Sequence, residues 1–556
     1  MITNNRSETN KRVKKESFMQ GVLALMVSQV LIKVLGLVYK LYLTNKPGFG
    51  DEGNAIYNAG YQIYALLLTL SSIGVPNAIS KLVSERLSVG DTRGAHRIFK
   101  IALATFGVIG MAGTLFLLLG ARKIANMMGI PEAEMTLVAL SPSLFFVAIS
   151  SVFRGFFNGR SKIKTTANSQ TLEQVFKTVL TIVVVEIVAI MSKSNTTIMA
   201  AGANLATTLA TITSFLYLFA FYKIHKNEKY GVDAAVQSSR DSKVMKQKVW
   251  QIVKAILWVS IPMSLSSILT SLNRNIDSFT VTNLLKNFLS DAEAKVQYGI
   301  LSGKVETLTS LPLSFNIAFA TALVPSIAAS KAKGELDKGV KRISFSLLTT
   351  VLIVLPCVVG MVVFAEPILK LLFPNASSGA FIMQVCVLAT IFTAMEQTIN
   401  GALQGLGKVF VPAMALTIGV LVKLILNLIL VPIPPEVSPL GGAAGAALAT
   451  DACHFIAFWI VFAVLKRTVN LKLNFSKMVI KPLVASGMMA VVSYGVYILL
   501  KGIIAQNLAT IIALVVAVVV YALSIIALKI FNEEDIMMLP YGQKVYSLLN
   551  KIGIYK

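Results

Sequence analysis

The chain has 556 residues, of which 55% are hydrophobic and 14% are charged, against roughly 45–50% and about 25% in soluble domains. Its mean hydropathy is +0.73, and its formal net charge is +25. The charge deficit excludes a string of soluble domains, a disordered chain and a coiled coil. The composition therefore predicts a membrane protein, and the long apolar stretches along the chain predict that its fold is all-α.

Fourteen stretches reach the roughly 20 mainly apolar residues that a membrane-spanning helix needs. The first stretch is too long for a signal-peptide core and has no obvious small-residue cleavage site, so we expect it to be retained. The sequence thus predicts a polytopic protein with fourteen transmembrane helices, at 17–44, 54–77, 98–120, 135–158, 167–191, 198–222, 252–284, 298–325, 343–366, 379–405, 411–432, 441–465, 478–500 and 507–530.

The basic residues are distributed unequally between the two sides of this predicted topology. Of the 51 Lys and Arg residues, 36 lie in the N-terminal tail, alternate loops, the C-terminal tail and the helix ends next to them, and 8 lie in the opposite loops. Lys and Arg accumulate on the cytoplasmic side of membranes, so both termini are predicted to be cytoplasmic. The positive charge then reflects topology, with anionic phospholipids as partners, and we expect no nucleic-acid partner.

The chain contains an internal repeat. Residues 154–162 recur at 400–408 with both glycines and the final lysine preserved, and Val75-Pro76 recurs as Val324-Pro325. Six consecutive predicted helices match in order, which indicates two lobes that enter the membrane in the same direction. Repeated halves of this kind place the substrate between them and work by rocking.

The repeat divides the chain into five parts. We predict a cytoplasmic N-terminal tail, a first six-helix lobe, a basic cytoplasmic linker, a second six-helix lobe, and a C-terminal part with two extra helices and a cytoplasmic tail. Their bounds are 1–16, 17–222, 223–251, 252–465 and 466–556.

The first helix of each lobe has a polar face with a cation. Helix 1 carries Gln29, Lys33, Gly36 and Lys40 at spacings of 4, 3 and 4, which is one helix face. An offset of 241 residues places Lys33 onto Arg274 in helix 7. Duplication predicts that both cations face the lobe interface, where they would attract an anion such as phosphate. Helix packing and snorkelling are the alternatives.

Other ionisable residues also lie within the predicted membrane helices, where they usually face a cavity or each other. Lys304 lies near the start of helix 8 and is a further candidate for the cavity. Lys177 and Lys423 form a second repeated pair, with Glu173 as the expected partner of Lys177 and Asp277 as a group that orients Arg274. Arg154 is expected to snorkel to headgroups. Three residues of the second lobe would bind a coupling proton or sodium ion, or form a buried polar network: Glu396, Asp451 and His454.

Three short segments resemble a known family. Residues 60–64 (GYQIY), 71–81 (SSIGVPNAISK) and 154–159 (RGFFNG) are similar to the stage V sporulation protein B and polysaccharide biosynthesis branch of the multidrug/oligosaccharidyl-lipid/polysaccharide (MOP) exporter superfamily. The resemblance implies a monomeric flippase of the bacterial cytoplasmic membrane that moves undecaprenyl-pyrophosphate-linked sugars, such as lipid II, by alternating access.

The resemblance also implies a site and partners. Lys33, Arg274 and Lys304 would be the cavity cations, and helices 478–530 would form a groove for the lipid tail. Cell-wall synthesis enzymes are expected as partners, and the sequence leaves open whether the protein acts in growth or in sporulation. The chain has no catalytic motif, metal-ligand cluster or ATPase module, so we expect no enzyme activity and no cofactor. The sequence leaves three driving forces open: the membrane potential, a proton or sodium-ion gradient, and consumption of the product outside.

Two other functions compete with this one. A cation-coupled multidrug antiporter of the same superfamily should carry carboxylates in its cavity, whereas helix 1 has no acid between Glu16 and Asp51. A membrane scaffold of a cell-wall synthesis complex predicts that neutralising Lys33 and Arg274 has no effect.

Overall fold

The computed structural model of the protein describes residues 18–72, 74–88, 90–225, 248–471 and 473–538, together with 543, 546, 547 and 550. This part of the chain is helical and contains no strand. Fourteen long helical segments follow one another: α1 Phe18–Asn45, α2 Gly50–Ser72 with its continuation Gly74–Ser88, α3 Thr92–Met127, α4 Ala133–Gly159, α5 Ile163–Met191, α6 Thr196–His225, α7 Val249–Leu285, α8 from Asp291 to Ala332, α9 Leu336–Val363, α10 Ala380–Gly405, α11 Phe410–Leu430, α12 Gly442–Thr468, α13 Ser476–Lys501 and α14 Gln506–Ala527.

Among the described residues, eleven helices are long and apolar enough to cross a membrane. They are α2 to α6 and α9 to α14, while α1, α7 and α8 coincide with the remaining predicted stretches. The all-α multi-pass membrane fold is therefore confirmed, and the total of fourteen spans stays a prediction. The predicted N-terminal tail at 1–16 and most of the linker, 226–247, lie outside the described residues.

The helices pack in the same pattern in both predicted lobes. In the first lobe α1 packs on α5, and α4 packs on α3 and α6. In the second lobe α7 packs on α11, and α10 packs on α9 and α12. Each polar-faced first helix thus lies beside the helix that carries the second repeated lysine.

The repeated glycine motifs allow two helices of each lobe to approach closely. A Cβ atom on Gly155 would lie 2.8 Å from the carbonyl oxygen of Pro76, and one on Gly159 would lie 2.8 Å from that of Ser80. Gly401 and Gly405 of α10 abut the matching stretch of α8, where their Cβ atoms would come within 2.4 and 2.8 Å of backbone oxygens. Only glycine fits at such contacts, so the repeated glycines let the two helices of each lobe pack closely.

The two extra helices pack on each other and against α9 of the second lobe. The Tyr521 hydroxyl donates a 2.8 Å hydrogen bond to the carbonyl oxygen of Leu352, which joins α14 to α9. Large apolar side chains such as Val491 and Val518 remain exposed on the outer surface of this pair. Such a surface suits contact with lipid.

Candidate functional site: a cationic cavity between the lobes

A cavity of about 370 Å³ lies between α1, α2 and α5 on one side and α7, α8, α10, α11 and α12 on the other. Hydroxyl and amide side chains make up much of its wall. Its ionisable lining is mainly basic, with five Lys or Arg side chains against two carboxylates and one histidine: Lys33, Lys40, Lys177, Arg274, Lys423, Asp277, Glu306 and His454.

Lys33 and Arg274 face each other across the lobe interface. Both side chains are exposed to the cavity, and they are near enough for their charges to interact. Neither forms an ion pair with a carboxylate of the described residues. The structure therefore brings together the two cations that the repeat predicts at this interface, and it leaves both charges available to a ligand.

Lys40 and Lys177 lie deeper on the first-lobe wall, against tyrosine rings of α1 and α2. The Lys40 ammonium donates a 2.7 Å hydrogen bond to Asn58 Oδ1 and lies 4.5 Å from the centroid of the Tyr57 ring. The Lys177 ammonium lies 4.2 Å from the Tyr61 ring. The expected pair of Lys177 with Glu173 is wrong, because Glu173 binds another cation.

That other cation is Arg154, which is buried rather than snorkelling to headgroups. Its guanidinium donates to Glu173 Oε2 at 2.6 Å, to Ser169 Oγ at 3.1 Å and to Ser214 Oγ at 2.9 Å. These bonds join α4, α5 and α6. Arg154 therefore stabilises the first lobe internally, and the expectation of snorkelling is wrong.

Lys423, the repeat partner of Lys177, is fully neutralised. Its ammonium pairs with Asp277 Oδ2 at 2.6 Å and donates to the carbonyl oxygen of Asn273 at 2.9 Å. Asn427 donates to the second carboxylate oxygen of Asp277 at 2.9 Å. Asp277 thus joins α7 to α11 and does not orient Arg274, contrary to the expectation from sequence.

Lys304 does not line this cavity. Its side chain is completely buried and pairs with Asp51 Oδ2 at 2.9 Å, while the carbonyl oxygens of Ala376 and Ser378 accept further hydrogen bonds at 2.5 and 2.9 Å. These contacts tie α8 to the start of α2 and to the loop before α10. The predicted place of Lys304 among the cavity cations is therefore wrong, because three oxygen acceptors on two elements enclose its charge.

The carboxylates and histidine of the second lobe form hydrogen bonds within the protein. Glu396 Oε2 lies 3.0 Å from His454 Nδ1, and His454 Nε2 lies 3.2 Å from Asn273 Nδ2. Asp451 Oδ1 accepts from the backbone N–H of Ala389 at 2.9 Å, close to the break in α10 at Val387. Glu396 and His454 thus belong to the buried polar network that the sequence left as one alternative, and no hydrogen bond among the described residues joins Asp451 to them. The side chain of Gln29 lies outside the described residues.

The lobes are joined at the face where α1 ends and α2 begins. Besides Lys304–Asp51, Lys295 pairs with Glu132 at 2.5 Å, and Asn45 donates to the carbonyl oxygen of Leu372 at 2.8 Å. At Gly303 of α8 a Cβ atom would lie 2.7 Å from the Asn54 side chain. This face is closed by interlobe contacts, and the cavity lies beneath it.

Sequence reasoning missed the aromatic surroundings of the deep lysines. Tyr57, Tyr61 and Tyr64 follow one another at spacings of four and three, which places them on one face of α2. The Tyr57 and Tyr61 rings are stacked with centroids 5.7 Å apart. This spacing was visible in the sequence, but nothing in it showed that lysines of α1 and α5 would lie over the rings.

Comparisons with known proteins agree with this architecture. The family described as "Polysaccharide biosynthesis protein" matches residues 18–331, and the MatE family matches residues 262–429. Stage V sporulation protein B of Bacillus subtilis (strain 168) is 28% identical over 537 residues, covering 95% of this chain and 98% of that protein. Lipid II flippase MurJ of the same organism is 25% identical over 469 residues, covering 81% and 82%.

Solved structures share the fold at low sequence identity. The structure described as "Lipid II flippase MurJ, inward closed conformation" gives a TM-score of 0.67 at 16% identity and covers 90% of this chain and 98% of that one. An inward-facing multidrug resistance MATE family transporter gives 0.60 at 17% identity, covering 81% and 98%. The chain therefore belongs to the polysaccharide biosynthesis protein family of the MOP superfamily, on its stage V sporulation protein B and lipid II flippase-like branch, and is a multi-pass membrane flippase or transporter.

Proposed function

We propose that this protein flips a lipid-linked glycan, carried on an undecaprenyl diphosphate such as that of lipid II, across the bacterial cytoplasmic membrane. The diphosphate and sugars enter the cavity while the isoprenoid tail stays in lipid along α13 and α14. The lobes then rock about the cavity to expose it on the other side. The basic residues flanking the helices favour cytoplasmic termini.

The observation that carries this proposal is the unbalanced charge of the cavity. Of its five basic side chains, only Lys423 pairs with a carboxylate among the described residues. Lys33 and Arg274 present their charges from opposite lobes, where a diphosphate would contact both. Charge-assisted hydrogen bonds to phosphate are strong and directional, so the site fits an anionic head group better than a cation.

The carboxylates in and beside the cavity argue against a cation-coupled drug antiporter, because each of them lies close to a cationic or basic side chain. Asp277 is held by Lys423 and Asn427, and Glu396 is held by His454. Glu306 is the remaining cavity carboxylate, and Arg274 and Lys40 both lie within electrostatic range of it. An organic cation entering this cavity would meet more positive than negative charge, which opposes binding.

The test is flipping of fluorescent lipid II by the full chain in proteoliposomes. We expect the wild type to transport lipid II. The flipping rate of Lys33→Gln/Arg274→Gln should be at least about tenfold lower, which corresponds to about 1.4 kcal/mol of binding or activation free energy. The matched control is Arg122→Gln/Lys123→Gln, which removes two exposed charges at the end of α3 and should transport normally.

Two results would contradict the proposal in different ways. Transport that survives the loss of both cavity cations would exclude Lys33 and Arg274 from the site. A folded wild type that moves neither lipid II nor a teichoic-acid or capsule precursor would favour the scaffold function instead.

A further inference from the structure

The deep lysines Lys40 and Lys177 are separate from the pair at the lobe interface. Lys33 and Lys40 are seven residues apart on α1, which places Lys40 about 10 Å further along the same face of the helix. Lys40 and Lys177 are 8% and 6% exposed, whereas Lys33 and Arg274 are exposed to the cavity. The cavity therefore contains two groups of cations at different depths.

Each deep lysine lacks a bonded carboxylate among the described residues. Lys40 has one amide acceptor, Asn58 Oδ1, and the face of Tyr57. Lys177 has the faces of Tyr61 at 4.2 Å and Tyr39 at 5.2 Å. Cation–π contacts offset only part of the cost of removing an ammonium from water. Both charges are thus incompletely satisfied by the protein alone.

The two ammonium groups also lie beside the same part of the cavity. They lie over neighbouring rings of one stacked pair, and they are close enough for their charges to interact. Glu306 of α8 is within electrostatic range of Lys40, but it forms no ion pair with either lysine. Two like charges held together in a buried wall are stabilised by an anion that binds between them.

We propose that Lys40 and Lys177 form a second anion subsite, which binds an acidic group on the glycan of the transported lipid. This inference rests on the proposed function, in which Lys33 and Arg274 hold the diphosphate. The chemistry of the subsite fits a carboxylate, carried by a uronic acid or by a peptide attached to the sugar. The separation of about 10 Å along α1 matches an acidic group roughly two sugar rings from the diphosphate.

The neighbouring side chains suit a sugar-bearing ligand. Asn58, Gln62 and Gln174 line the cavity beside the two lysines. The amide nitrogen of Asn58 is buried without a hydrogen-bond partner in the described residues. Amide groups can donate to or accept from sugar hydroxyls, so this wall can bind the uncharged part of the glycan as well as its acidic group.

The test compares two soluble probes by calorimetry on the purified full chain in uncharged detergent. Both probes are short-chain prenyl diphosphates linked to a disaccharide that begins with N-acetylglucosamine. The second sugar is glucose in the neutral probe and glucuronic acid in the acidic probe. We expect the wild type to bind the acidic probe at least about tenfold more tightly than the neutral probe.

The variants separate the two groups of cations. Lys40→Met/Lys177→Met should reduce the preference for the acidic probe to about one, because it weakens the binding of the acidic probe more than that of the neutral probe, whose diphosphate still contacts Lys33 and Arg274. Lys33→Gln/Arg274→Gln should weaken the binding of both probes. Lys177→Arg keeps the charge and should keep the preference, and Arg122→Gln/Lys123→Gln serves as the matched control.

The outcomes distinguish this inference from the function on which it rests. Equal affinity of the wild type for the two probes would overturn the second subsite alone. A preference that persists in folded Lys40→Met/Lys177→Met would also overturn it. Failure of the wild type to bind either probe would overturn the diphosphate site and the second subsite together.

Discussion

Lys177 and Lys423 occupy equivalent positions in the two lobes, yet their surroundings differ. Lys423 is paired with Asp277 at 2.6 Å, whereas Lys177 lies over tyrosine rings without a bonded carboxylate among the described residues. The offset of 241 residues places Gly36 of α1 where α7 has Asp277. The residue at this position of the first helix, glycine in one lobe and aspartate in the other, therefore determines whether the lysine is neutralised or keeps a free charge.

A second position on the same helices increases this difference. The same offset places Lys40 where the second lobe has Val281, a fully buried apolar residue. The first lobe thus gains one cation and lacks one carboxylate relative to the second. At these two positions the first lobe keeps cations that can bind an anion, whereas the second lobe has an ion pair and an apolar residue that stabilise the protein internally.

The largest expected effect follows from removing the neutralised lysine. Lys423→Met leaves the buried carboxylate of Asp277 without its counter-charge, and losing one partner of a buried pair costs about 3–5 kcal/mol. We expect the free energy of unfolding in detergent to fall by that amount, measured by chemical denaturation. The double variant Asp277→Asn/Lys423→Met should recover most of the loss, and a double variant as unstable as the single one would show that the pair is not its cause.

The same substitution at the equivalent position should have a much smaller effect on stability. Lys177→Met leaves no carboxylate of the described residues unpaired and exchanges cation–π contacts for apolar packing against Tyr39 and Tyr61. We expect the free energy of unfolding to change by less than about 1 kcal/mol. If Lys177→Met lowered the free energy of unfolding as much as Lys423→Met does in the same denaturation experiment, Lys177 would have a stabilising anionic partner.

Much of the architecture could be predicted from the sequence, because apolar length and repeated spacing are local signals. All fourteen predicted stretches coincide with helices, and the offset of 241 residues brought Lys33 and Arg274 to one interface. The sequence did not predict which residues form ion pairs and hydrogen bonds with each other, because these partners are distant along the chain. Asp277 binds Lys423, which is 146 residues distant, rather than its helical neighbour Arg274. Lys304 is enclosed by carbonyl oxygens of a loop more than 70 residues away.

The central claim is that free positive charge on the first-lobe wall drives binding of the anionic head group. The substitution Gly36→Asp tests it by adding to α1 the carboxylate that α7 already has. The position has room, since a Cβ atom there would lie 3.8 Å from Gln174 Nε2, which is ordinary contact. Gly36→Asn is the matched control, with nearly the same volume and no charge.

The measurement is the rate of lipid II flipping in proteoliposomes for these two variants and the wild type. We predict that Gly36→Asp slows flipping by about tenfold, or about 1.4 kcal/mol, because its carboxylate neutralises the first-lobe cations. Gly36→Asn should remain within about twofold of the wild type, since a neutral amide leaves the charges in place. Equal rates for the aspartate and asparagine variants would contradict the claim that the free charge of this wall binds the substrate.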